Sequence, residues 1–91
     1  MKRKTEKEII EALINEMFVI AGHPLTYQDV EGRKDNWYSQ YTMTESQNQQ
    51  WKDWGVDYLR KQRHWNKRSA QREMSMLDLY CGLKTVSDDN Q

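Results

Sequence analysis

The chain is predicted to adopt an all-α fold, a small single domain of three main helices with a structured aromatic loop between the first and second. Two capping boxes support this, Thr5 with Glu8 and Thr44 with Gln47. In each, a threonine hydroxyl and an acidic or amide side chain three residues on satisfy backbone N–H groups that a helix start leaves free. Apolar residues then recur at spacings of three and four behind each box, which gathers them on one helical face. The 91 residues make one domain, and a domain this small buries only about 60–65% of the surface its unfolded chain exposes. The four Trp, five Tyr and one Phe must therefore carry much of the burial.

The first helix starts after Thr5 and places Ile9, Ile10, Leu13, Ile14, Met17, Phe18 and Ala21 on one broad apolar face, the pattern of a core helix. Gly22 closes it by adopting the left-handed conformation, and Pro24 forbids early resumption. Residues 23–43 hold no sustained period; Gly32, Asp35 and Asn36 favour turns, with a short helical turn around Tyr27 to Val30. The loop tip from Trp37 to Tyr41 sets three aromatics within five residues. These rings are expected to fold back on the helical core. The sharper reading makes Trp37, Tyr38 and Tyr41 a secondary partner surface, because Trp and Tyr are enriched in binding hot spots.

The second helix follows the Thr44 cap, with Glu45 at the positive end of its dipole and an apolar face of Trp51, Trp54, Gly55, Tyr58 and Leu59. Gly55 costs about 1 kcal/mol relative to Ala, which suggests that another backbone passes close by. A break at His64-Trp65-Asn66 precedes a third helix from Lys67 to about Cys81, capped by Asn66. Its core face is Ala70, Met74, Leu77 and Cys81, flanked by Met76 and Tyr80. Gly82 is the expected left-handed stop, with Leu83 folding back as in a Schellman motif. The domain is expected to span 1–84, followed by a disordered acidic tail over 85–91.

Formal net charge is zero, yet the charge is segregated. Between Arg60 and Arg72 stand six cations and no carboxylate: Arg60, Lys61, Arg63, Lys67, Arg68 and Arg72, with His64 and Trp65 among them. Residues 1–59 hold seven Lys/Arg against ten Asp/Glu, and residues 73–91 one against four. Such a patch attracts phosphate backbones or acidic protein surfaces whatever the whole-chain charge. Arg60, Lys61 and Arg63 also complement the carbonyl end of the second helix, a structural role that explains about half of the cluster. In the functional reading the six cations neutralise phosphates and Trp65 stacks on an unpaired base, a contact worth about 1–3 kcal/mol. His64 assists as a donor; its plain alternative is a solvated turn histidine.

From Thr44 to Lys84 the order Thr-Glu, Trp-x-x-Trp-Gly, Tyr-Leu-Arg-Lys, Ala-x-x-Glu-Met and Leu-Asp-Leu-Tyr-Cys-Gly-Leu-Lys resembles a group of short bacteriophage and prophage proteins of largely unassigned function. The likeness covers under half the chain, and residues 1–43 add no motif to it. It carries no catalytic motif. What it implies is context: small phage proteins often bind host machinery, and one such class is the anti-CRISPR inhibitors, including those of RNA-guided, RNA-cutting type VI nucleases. The partner implied is a host nuclease or its guide RNA, contacted in the cytoplasm of a bacterial cell. A positive surface would be repelled by a lysine- and arginine-rich nuclease channel but drawn to the RNA lying in it.

A DNA-binding phage regulator of the helix-turn-helix kind is the alternative, since Lys67, Arg68, Gln71 and Arg72 open the third helix where a recognition helix meets base edges. The turn lacks a glycine and holds Trp65, and the net charge is not basic. Catalysis is not expected: His23 and His64 have no nucleophile or paired carboxylates at an informative spacing. One cysteine, Cys81, excludes an internal disulfide and, with two histidines, leaves too few ligands for a recognisable zinc site. No metal, cofactor or small-molecule substrate is expected. Nor is membrane association, because Glu8, Glu11 and Glu16 interrupt the apolar stretch behind the basic amino terminus. The exposed aromatics leave room for a homodimer.

Overall fold

The computed structural model describes residues 4–33 and 40–89. Helix α1 (Glu6–Ala21) starts at the expected box: Thr5 Oγ1 accepts the Glu8 N–H at 3.2 Å, and the Glu8 carboxylate accepts the Thr5 N–H at 2.8 Å. The Thr5 N–H, followed by the Thr5 hydroxyl, holds the Glu8 carboxyl below the usual range. Gly22, at φ 80°, closes the helix in the left-handed region. The single turn α2 (Tyr27–Val30) is tied back to α1, because the Tyr27 N–H donates to Asn15 Oδ1 at 2.6 Å.

Helices α3 (Glu45–Arg63) and α4 (Lys67–Cys81) form an antiparallel hairpin. Asn48 meets Asp78 near its open end, Gly55 meets Met74 midway, and Arg60 and Lys67 share a groove beside the turn. Helix α3 is the central element, packed on α4 and on α1. Trp51, at 0% exposure, fills the space between α3 and α1. Around it lie Ile9, Leu13, Ile14, Met17 and Phe18 of α1, Leu59 of α3, and Ala70 and Met74 of α4. Trp54 and Tyr58 are half-buried and stack on one another, 5.0 Å apart and 10° from parallel.

Four features depart from the expectations. The helical fold also holds a small parallel sheet, in which β1 (Thr42–Thr44) pairs with β2 (Lys84–Val86) and Thr42, Met43 and Thr44 face Lys84, Thr85 and Val86. Parallel strands require a long crossover, and the α3–α4 hairpin supplies it. Gly82 is not left-handed: at φ −71° and ψ 148° it is extended and leads α4 straight into β2, with Leu83 buried. The glycine is needed for space, since a Cβ there would run into the Asp78 carboxylate and backbone. The stretch from Thr85 is ordered rather than a loose tail as far as Asp89; Asp88 accepts the Ser46 hydroxyl at 2.7 Å at the positive end of α3. Finally, the neighbour that requires Gly55 is the Met74 side chain and not a backbone.

Candidate docking surface at the helix junction

The turn between α3 and α4 spans three residues. His64 caps α3 in the left-handed region at φ 58°, its N–H donating to the Arg60 carbonyl at 2.9 Å, and Asn66 Oδ1 caps α4 by accepting the Ser69 N–H at 2.8 Å. Glycine takes such a backbone at less cost, so a histidine there puts a polar ring at the tip of the hairpin at some expense in strain. His64 is exposed.

Arg60, Lys61, Lys67, Arg68 and Arg72 are exposed, and Arg63 is half-buried. They do not share one flat face. Arg60 and Lys67 line a groove on one side of the hairpin with Gln71, Asp53 and Asp57. Arg63 and Trp65 lie on the other side, towards α1. Arg68 and Arg72 stand two residues either side of buried Ala70, so at about 100° per residue they point directly away from the core. The cations thus form a collar around the hairpin tip. Lys61 Nζ pairs with Asp57 Oδ2 at 3.0 Å, an exposed pair of small energetic weight. Among the described residues no carboxylate lies within ion-pair distance of the other five.

Trp65 sits at the mouth of a cleft of about 370 Å³ between α1, α3 and α4. Ile9, Ile10, Leu13, Leu59 and Leu77 form its walls, and Glu6, Arg63 and Glu73 its charged rim. Trp65 is 38% exposed, so part of it is anchored by the fold and part faces solvent.

Trp37 and Tyr38 lie outside the described residues. Tyr41 is half-buried with its ring edge-on to His23 at 5.3 Å, and His23 Nε2 hydrogen-bonds the Thr42 carbonyl at 2.8 Å. Tyr41 therefore belongs to the packing around β1, and His23 is engaged in it too.

Cys81 is held away from reactivity. Burial, followed by the nearby Asp78 carboxylate, pushes its thiol up to about 11, and the Sγ donates to the Leu77 carbonyl at 3.2 Å. Among the described residues no group of three or more His, Cys, Asp or Glu side chains is placed to hold a metal ion. Nor is any helix among them long and apolar enough to cross a membrane.

Two arrangements have no counterpart in the sequence reading. Asn48, buried on α3, donates from Nδ2 to Asp78 Oδ1 at 3.0 Å, while Lys52 Nζ reaches Asp78 Oδ2 at 3.3 Å. A polar residue at the edge of an apolar face gives no sign of a partner 30 positions away. The second is Leu79, 75% exposed beside Met76 and Tyr80. Its signal was available, because Leu79 is out of phase with the Ala70–Met74 core face. Against known protein families, curated proteins and solved structures, no match to this chain is found.

Proposed function

We propose that the chain is a non-catalytic binding protein whose hairpin tip docks on RNA within an RNA–protein complex. The observation that carries this reading is the collar, cations on both flanks and the outer face of the hairpin end, five of them without a carboxylate partner among the described residues. Cations that face different directions around the hairpin end can neutralise several phosphates of a folded RNA at once. Trp65 at the rim adds a ring for stacking on a splayed base, and His64 adds a donor at the apex.

The expectation drawn from the motifs of residues 44–84, that the chain resembles short phage proteins, sets this proposal in a host defence complex. In that form of the proposal the protein is an anti-CRISPR-like inhibitor that engages the guide RNA of a type VI nuclease in the bacterial cytoplasm. The helix-turn-helix alternative is less well supported, because that motif crosses its helices at about 90–120°, whereas α3 and α4 run antiparallel along their length.

Fluorescence anisotropy with a structured RNA, a random DNA duplex and a guide-loaded type VI nuclease tests the reading. RNA or the loaded nuclease should bind, and affinity for RNA should fall log-linearly with salt between about 50 and 200 mM. Combined Arg60→Glu, Arg63→Glu and Arg68→Glu should abolish binding while helicity and Tm stay nearly unchanged. Unaltered binding by the triple variant, or a preference for duplex DNA, would reject the proposal.

A further inference from the structure

Beyond the basic tip, α4 presents a second surface of different chemistry. Five large apolar side chains stand out as exposed among the described residues, and three of them, Met76 (45%), Leu79 (75%) and Tyr80 (69%), lie within five positions of α4. Buried Ala70 and Met74 fix the inward direction of this helix. At about 100° per residue, Leu79 points directly outward between Arg68 and Arg72, with Met76 and Tyr80 alongside. Among the described residues no element covers this face. Single exposed apolar residues are ordinary, but a contiguous cluster on one helix face, rimmed by arginine, has the composition of a protein interface core, where Tyr, Met and Arg are enriched.

We infer that the outward face of α4, Arg68-Arg72-Met76-Leu79-Tyr80, docks an acidic amphipathic helix of another protein. Charge selects this occupant. Arg68 and Arg72 have no carboxylate partner among the described residues, so a covering surface must bring carboxylates next to its own apolar anchors. A second copy of the same face does not supply them. Of the carboxylates on α4, Asp78 is engaged by Asn48 and Lys52, and Glu73 lies at the rim of the cleft towards α1. RNA fits poorly for a different reason: Tyr80 offers a stacking plane, but Leu79 and Met76 between it and the arginines do not, and covering them with phosphate strips the phosphate of water. An amphipathic helix lays anchors at spacings of three, four and seven against such a ridge and can carry glutamates opposite the arginines. This face shares Arg68 and Arg72 with the collar, but its apolar anchors Met76, Leu79 and Tyr80 are its own, and the inference stands whether or not RNA binds at the tip.

Selection of a random 16-residue peptide display library on the full chain tests it. Enriched peptides should carry Asp or Glu beside apolar residues at helical spacing. Leu79→Glu or Tyr80→Glu should weaken a synthetic copy of the consensus at least tenfold, while Val19→Glu, at an exposed apolar site on α1, leaves it unchanged. A basic or uncharged consensus, no enrichment, or indifference to Leu79 would overturn the inference. So would sedimentation showing self-association that Leu79→Glu abolishes, which assigns the face to a second copy. Loss of RNA binding in Leu79→Glu would assign it to the RNA site; unchanged RNA binding with lost peptide binding separates the two surfaces.

Discussion

Trp51 Nε1 donates a 2.8 Å hydrogen bond to the Leu13 carbonyl, joining α3 to α1 through two groups shut away from water. Trp51 is the largest fully buried side chain among the described residues, and this bond also fixes the axial position of one helix against the other. Trp51→Phe removes the bond and leaves a void where the second ring was. A cost of about 2–3 kcal/mol is expected from the two losses together. In urea denaturation the midpoint should drop with the slope unchanged.

Gly55 and Met74 form a matched pair across the hairpin, since a Cβ at 55 would occupy the place of the Met74 thioether. Gly55→Ala gains about 1 kcal/mol in helix propensity but forces a buried side chain to move, typically at about 1–3 kcal/mol. The single variant should be less stable than the parent. Adding Met74→Ala should cost less on the Gly55→Ala background than alone, and a double-mutant cycle reads that coupling.

Asp78 holds Asn48 and Lys52 at once. Asp78→Ala leaves the buried Asn48 amide with only the long Met43 sulfur contact, at 3.8 Å. A loss of about 2 kcal/mol is expected, whereas Lys52→Ala should cost less than about 1 kcal/mol because that pair is partly solvated. Equal effects from the two variants would contradict this assignment.

The Ser46 hydroxyl, by its hydrogen bond, holds the Asp88 carboxyl below its ordinary value. A depressed carboxylate pKa stabilises the folded state above the unfolded value, about 3.9, and that contribution is lost as pH falls through the lower folded value. Asp88→Asn should therefore melt below the parent at neutral pH. The difference in Tm should shrink as pH drops below about 3.9.

With its thiol pushed up to about 11, Cys81 holds little thiolate at pH 8. Reaction with Ellman's reagent in the folded protein should be on the order of a hundredfold slower than for an ordinary thiol near 8.5, and unfolding in urea should restore the ordinary rate.

Local signals were legible in the chain wherever one element decides them alone. Thr5, Thr44 and Asn66 cap the helices they were expected to cap, Gly22 closes α1, and the Tyr27–Val30 turn is present. What escaped depends on partners distant in sequence. Thr42–Thr44 and Lys84–Val86 are too short to show a period, and each is a strand only because the other lies beside it. Gly82 was read by the commonest role of a glycine after a helix, whereas the close approach of Asp78 sets its actual one. The basic cluster was visible by composition, but its division into three directions follows from helical phase and the packing of α1 against α3.

The parallel pairing of β1 and β2 acts as a ruler on the hairpin between them. Sliding α4 along α3 by one turn displaces Lys84 by about 5.4 Å, more than the roughly 3.3 Å that separates neighbouring residues in a strand. Every rung from Thr42–Lys84 to Thr44–Val86 would then be misaligned, so only one helical offset lets the clasp shut.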